Sequence, residues 1–330
     1  MDVLTAIGLV LLGLALLAGG GEALVRAATT LAELAGVTPA VIGLTVVAIG
    51  TSLPELVVSL VAATQGEPDL AVANVVGSNI FNVAATLGLT ALIVPLPVHG
   101  SAVRLEWPVM FAASFLGLLL ARDGYIDRLE GGFFLVTMIL FIAYTVHVAR
   151  TAVGAAEVRQ LAQEIEARDI DIAAAGARSP RPRLLVTLAV LVLGLGALVA
   201  GGRLLVDGAI ALARIAGVTE RVIGLTIVAG GTGAPELATS LVAAFRKRTD
   251  VAIANMIGSN IFNILGILGL AALVAPIPVS PALIRSDMWW MIGTALLLLP
   301  VMRFEARITR PEGGLLVSVY VAYLVVLLRA

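Results

Sequence analysis

The chain has 330 residues, 60% of them hydrophobic and 13% charged, with a formal net charge of -1 and a mean hydropathy of +1.06. So little polar surface cannot cover a water-soluble globule of this size, which makes a bilayer the solvent. The near-zero charge gives no electrostatic footprint for nucleic acid. With no cysteine, neither a disulfide framework nor a thiolate metal site is possible, and any metal chemistry rests on oxygen.

Apolar stretches long enough to cross a hydrocarbon core of about 30 Å fall at 3–20, 40–64, 69–95, 103–121, 130–149, 184–202, 221–245, 250–274, 284–301 and 313–328. They predict an all-α integral membrane protein with ten transmembrane helices. Strand alternation is missing and each run is about twice the length a barrel strand needs, which excludes a β-barrel. The opening MDVLTAIGLV has no cationic n-region and reads as the first span rather than as a cleaved signal peptide. Segment 150–183 is polar. Its AAEVRQLAQEIEARD has helical spacing and SPRPR then breaks it, so a short surface helix is expected in a linker too short for a folded sensing domain.

Comparing the chain with itself is more informative. Glu55 and Glu236 lie 181 apart, as do Gly36 and Gly217, Gly43 and Gly224, Gly77 and Gly258, Asn82 and Asn263, and Pro95 and Pro276. The offset holds from Gly13/Gly194 to Arg104/Arg285, then slips to 182 where Glu130-Gly131-Gly132 meets Glu312-Gly313-Gly314. Two halves, 1–149 and 184–330, therefore flank the linker at 150–183. Five spans per half is an odd number, so the second half enters the membrane from the opposite side and the repeats are inverted. With the N-terminus outside, 14 of the 21 Lys and Arg residues fall in inner loops, as the positive-inside rule demands. The expected placement is multi-pass in the cell inner (plasma) membrane, with the linker cytoplasmic.

Each half carries one glutamate at mid-membrane, in GLTVVAIGTSLPELVVSL (43–60) and GLTIVAGGTGAPELATSL (224–241). A carboxylate there costs roughly 2.5 kcal/mol or more, so Glu55 and Glu236 require partners or an ion. Pro54 and Pro235 cannot donate to the carbonyls of Gly50 and Gly231, so helices 2 and 7 are expected to break. Broken helices at mid-depth are tolerated only where they are buried or line an aqueous cavity. Carbonyls, hydroxyls and carboxylates together suit a hard cation. The second repeated element is ANVVGSNIFN (73–82), again as ANMIGSNIFN (254–263). Four-residue spacing puts Asn74, Ser78 and Asn82 on one helix face, and Asn255, Ser259 and Asn263 on another. Ser78, Asn82, Ser259 and Asn263 read as ligands, whereas Asn74 and Asn255 read equally as ligands or as glue between helices.

GTSLPE with GSNIFN, duplicated after 181 residues in ten spans, resembles the alpha-repeats of the sodium/calcium exchanger family, within the calcium/cation antiporter superfamily, in its prokaryotic ten-helix form. The resemblance covers essentially the whole chain. It implies a secondary antiporter rather than an enzyme, with no cofactor. Its partners would be inorganic cations, Ca2+ and Na+ or H+, and the lipid bilayer, and the functional unit a monomer. The site would lie where helices 2, 3, 7 and 8 meet, with helices 1 and 6 sliding past. Carried over by position, the ligands would be Thr51, Ser52, Glu55, Ser78 and Asn82 from the first repeat, and Thr232, Glu236, Ser259 and Asn263 from the second. The carbonyls of Ala48 and Ala229 would face sodium.

Two positions depart from the family pattern. Gly233 stands where relatives carry serine, and both Asn82 and Asn263 are uncharged where many relatives carry an aspartate. Two readings stay close, Ca2+/Na+ exchange and Ca2+/H+ exchange, with a cation channel or sensor as a third. The remaining ionisable groups read as interfacial: Arg104 with Glu106 and Arg285 with Asp287 at helix starts as salt bridges or snorkelling anchors, and His99 and His147 near span ends. Trp107, Trp289 and Trp290 fit an aromatic belt. No hydrolase triad occurs, and GSNIFN lacks the lysine of a phosphate-cradling loop, which excludes an ATPase.

Overall fold

A computed structural model describes residues 2–65, 68–152, 180–217 and 229–329. The surface helix expected in the linker, and the start of the seventh predicted stretch at 221–228, lie outside the described residues.

Among the described residues, seven helices are long and apolar enough to cross a bilayer: α1 (Val3–Ala35), α4 (Asp69–Ile93), α5 (Ala102–Asp123), α6 (Arg128–Ala149), α7 (Arg183–Ile215), α10 (Thr249–Val274) and α12 (Arg310–Arg329). An eighth crossing is a broken one, α2 (Pro39–Thr51) followed by α3 (Leu53–Gln65) with a bend of 46°. Of the seventh predicted stretch, α8 (Ala229–Gly231) and α9 (Ala234–Phe245) are described, parted at Thr232 and Gly233. The ninth is α11 (Met288–Arg303), entered through a wide π-helical turn at Leu283–Asp287.

Helices α4 and α10 form the centre: their windows are 72% and 83% buried, against 17–33% for the other spans. Both carry a π-helical turn, Phe81–Leu87 and Phe262–Leu268, and such local widenings often mark functional sites. Two short antiparallel ladders join the halves, Leu96-Pro97 with Ile308-Arg307 and Tyr125-Ile126 with Pro278-Ile277.

The first and sixth stretches, expected at 3–20 and 184–202, are too short by about half. Helices α1 and α7 each run for 33 residues, about 50 Å at 1.5 Å per residue. Glycines inside them are points of close contact between the two helices. A Cβ on Gly13 would lie 2.6 Å from the Leu205 nitrogen, one on Gly20 2.8 Å from the Gly194 carbonyl, and one on Gly201 2.9 Å from the Gly13 carbonyl. The helices stop at Gly36 and Gly217, whose φ angles of 66° and 78° place them in the left-handed region that favours glycine.

Of the interfacial expectations, the salt bridges are not formed and one tryptophan is engaged elsewhere. Neither Arg104 with Glu106 nor Arg285 with Asp287 forms an ion pair: Glu106 is 6% exposed, in a small cavity with His99, Ser101 and Asp250, and Asp287 accepts from the Tyr323 hydroxyl at 3.0 Å. Trp107 is not a belt residue. Its Nε1 donates to the Ala295 carbonyl at 2.7 Å inside the bundle, and its ring stacks on Phe111.

Candidate cation site

The break between α2 and α3 falls at Ser52, and its counterpart between α8 and α9 at Gly233; their φ/ψ angles are -88°/12° and -80°/4°. These values leave the helical ladder, and the prolines that follow restart it. Each new helix opens with its glutamate in the first turn, Glu55 in α3 and Glu236 in α9. The positive end of each helix dipole thus sits beside a carboxylate.

Both glutamates are 1% exposed. Ser52 Oγ crosses between the halves and donates to Glu236 Oε1 at 2.9 Å. The matching donor for Glu55 would come from position 233, which is glycine. One oxygen of each carboxylate, Glu55 Oε2 and Glu236 Oε2, is buried without a partner, and so is Asn263 Oδ1. Leaving a buried polar group unmatched costs about 1–3 kcal/mol, more when it is charged. These three orphaned oxygens, two of them on acids, are of the hard-donor type that suits a hard cation. Among the described residues no cluster of three or more His, Cys, Asp or Glu exists, so any cation held by the two carboxylates would draw its other donors from neutral oxygens.

Of the predicted ligands, Thr51, Ser52, Ser78, Asn82, Ser259 and Asn263 are buried. The Thr51 hydroxyl lies 3.4 Å from the Ala48 carbonyl and 3.3 Å from Asn255 Oδ1. That same Ala48 carbonyl accepts from the Ser52 N–H at 3.1 Å and from Ser259 Oγ at 3.5 Å, so it is a hub between α2 and α10. Ser78, Asn82 and Asn263 are buried on α4 and α10. Thr232 is half-buried and lines a cavity of about 270 Å³ with Leu53, Pro54, Gly231 and Pro235 on one side and Arg203 and Asp207 of α7 on the other. Ala229 is the first described residue of α8, which runs to Gly231 just before the break.

Two residues that periodicity passes over, Asn79 and Asn260, tie the centre together. Asn79 Nδ2 donates to the Asn260 carbonyl and Asn260 Nδ2 to the Asn79 carbonyl, both at 3.2 Å. Each then accepts at Oδ1 from the ligand amide of the opposite helix: Asn82 Nδ2 donates to Asn260 Oδ1 at 3.1 Å, and Asn263 Nδ2 to Asn79 Oδ1 at 2.9 Å. This four-asparagine clamp engages one N–H of each of the Asn82 and Asn263 amides and turns those NH2 ends toward the opposite helix, while Asn263 Oδ1 stays without a partner.

Asn74 and Asn255 part company. Asn74 Nδ2 binds the Glu55 carbonyl at 3.1 Å and Ser59 Oγ at 2.9 Å, tying α4 to α3. The equivalents in the second half do not close: Asn255 Nδ2 and Ser240 Oγ are both buried and partnerless, as is Thr239 Oγ1.

The missing serine at 233 has a steric cause. A Cβ there would stand 2.4 Å from the Phe81 ring, so the ring occupies the space a hydroxyl would need. Gly233→Ser is therefore expected to displace Phe81 and its edge contact with Tyr320, and to lower the thermal midpoint rather than restore a ligand. Thermal unfolding of the variant beside a Gly233→Ser/Phe81→Ala pair checks this, the second change recovering the loss.

The description "Sodium/calcium exchanger protein" belongs to the family model that matches residues 5–147 and 186–329, nearly the whole of both halves. The chain belongs to the sodium/calcium exchanger family. Among its relatives, the Inner membrane protein YrbG of Escherichia coli (strain K12) is 36% identical over 98% of this chain and 97% of its own length. Sodium/calcium exchanger MaX1 of Methanosarcina acetivorans is 33% identical over 97% of each chain. A solved structure of the sodium-calcium exchanger NCX_Mj, soaked with zero Na+ and Ca2+, superposes with a TM-score of 0.81 at 30% identity, covering 99% of this chain and 100% of that one. This member of the exchanger family is thus an all-helical, multi-pass membrane protein of the cation-antiporter kind.

Proposed function

We propose that the protein is a secondary antiporter that exchanges Ca2+ for Na+ by alternating access at one central site, in a frame of ten helices arranged as two inverted five-helix halves in the inner membrane. It needs no cofactor and works as a monomer, with the N-terminus outside and the 150–183 linker cytoplasmic. The observation that carries this reading is the pair of partnerless carboxylate oxygens on Glu55 and Glu236, buried between two copies of one motif. The ligands are Glu55 and Glu236 with Thr51, Ser52, Ser78, Asn82, Thr232, Ser259, Asn263 and the carbonyls of Ala48 and Ala229.

Alternating access draws support from the unequal state of the two halves. Asn74 is engaged with Glu55 and Ser59, while Asn255 is disengaged from Ser240. In an inverted repeat, the opposite access state exchanges these roles.

Charge sets the coupling. Two carboxylates are neutralised by one Ca2+ or by two Na+, and a third Na+ would leave a net positive charge in low dielectric. The exchange therefore moves no net charge, and Na+ and Ca2+ exclude one another. Titrating purified protein with Ca2+ at rising Na+ and fixed pH tests this: the apparent Ca2+ affinity falls as the second power of Na+, and a Ca2+ affinity indifferent to Na+ would contradict it. Asn263→Asp adds a third carboxylate, so the variant is expected to carry an additional positive charge and become electrogenic; a potential-sensitive dye on proteoliposomes reads this. Proton coupling is the second reading, favoured by the uncharged Asn82 and Asn263, and there the carboxylates would release metal by taking up protons.

A further inference from the structure

Away from the carboxylates, a cavity of about 350 Å³ lies between α1 and the turn that joins α9 to α10, lined by Glu22, Val25, Arg26 and Thr29 on one side and Phe245, Arg246, Lys247 and Arg248 on the other. Its only acid is saturated. Glu22 accepts from Arg26 Nε at 2.5 Å and from Arg246 Nε at 2.8 Å, with a second Arg246 nitrogen also donating. Among the described residues Lys247 and Arg248 form no ion pair or side-chain hydrogen bond. Four cations thus face one carboxylate, leaving three positive charges in excess.

The backbone adopts a costly form to present them. Lys247 N–H bonds the Ala244 carbonyl and Arg248 N–H the Ala243 carbonyl, a helix-ending motif whose central residue must be left-handed. Lys247 fills that slot with φ 59°, where glycine is the usual occupant. The first half has Gly66 at the matching position. Compensating the α9 dipole needs a single cation near the helix end, so the strained lysine and its free neighbour have another use. The turn immediately precedes α10, a helix long and apolar enough to span a bilayer, and Phe245 beside it is 64% exposed.

We propose that this cavity binds a phosphate group, delivered by an anionic phospholipid headgroup or as free phosphate. Guanidinium forks from Arg26, Arg246 and Arg248 and the Lys247 ammonium supply the recognition, and the bound anion bridges α1 to the α9–α10 turn. The inference concerns a site separate from the carboxylates and does not rest on the transport reading.

Calorimetric titration of the purified full-length protein in neutral detergent tests it, using short-chain phosphatidylglycerol, inorganic phosphate and short-chain phosphatidylcholine as probes. Saturable binding of phosphatidylglycerol, weakened about tenfold or more in Lys247→Gln/Arg248→Gln, assigns a lipid headgroup; the same pattern with phosphate alone assigns a soluble anion. Lys247→Gly provides a second variant that relieves the backbone while removing charge, and it weakens binding in the same direction. Absence of saturable binding by both anions, equal affinity for phosphatidylcholine, or binding unchanged by the variants would overturn the proposal.

Discussion

Glu55→Gln and Glu236→Gln each leave a folded protein that no longer carries a divalent cation. The two side chains are 1% exposed and their outward oxygens have no protein partner. Glutamine keeps the volume, and at position 236 its carbonyl still accepts from Ser52 Oγ, now 2.9 Å from Glu236 Oε1. What disappears is one negative charge in a low-dielectric setting, and an N–H donor then points where a cation would sit. The expected loss of Ca2+ uptake is on the order of 100-fold or more. Stability moves the other way, because an uncompensated buried acid is removed. Thermal midpoints measured without Ca2+ or Na+ should hold or rise while uptake disappears. Retained uptake by both variants would rule out a shared carboxylate site.

Asn260→Ala is expected to damage both stability and affinity. It deletes the bond from Asn260 Nδ2 to the Asn79 carbonyl and strands Asn82 Nδ2, which has Asn260 Oδ1 as its acceptor. Losing two buried hydrogen bonds and leaving their partners unmatched costs roughly 2–4 kcal/mol. The released Asn82 amide can then turn its NH2 toward the cation, so Ca2+ affinity falls about tenfold in addition. Asn79→Ala acts the same way through Asn263, which donates to Asn79 Oδ1 at 2.9 Å. Calorimetric Ca2+ binding below the unfolding temperature separates the two effects: a stability loss with unchanged affinity would make the clamp purely structural.

The carboxylates were legible in the sequence because charge is costly in an apolar helix, and because the same costly residue recurs after 181 positions. The breaks at Ser52 and Gly233 were legible from Pro54 and Pro235. The clamp was not. Asn79 lies about 100° around the helix from Ser78, off the face that four-residue spacing picks out, and its partners come from the other half of the chain. Its only trace was that GSNIFN recurs without a change, Asn79 and Asn260 included. The lengths of α1 and α7 were misread for a different reason. Glu22, Arg26, Arg203 and Asp207 lower the apolar signal just beyond Gly19–Gly21 and Gly201–Gly202, and a glycine at a tight helix crossing looks, in one dimension, like a glycine at a helix end. The difference is made by the packing of Gly13, Gly20 and Gly201 against the neighbouring backbone. The missing hydroxyl at 233 was visible as a letter, but its cause, the Phe81 ring, is a contact between halves.

Calcium uptake into proteoliposomes, with sodium and proton gradients imposed separately, tests the exchange most directly. The account predicts uptake driven by internal sodium with pH clamped, absent when external and internal sodium are equal and unaffected by a proton ionophore. Uptake that follows only the proton gradient, whatever the sodium gradient, would contradict it.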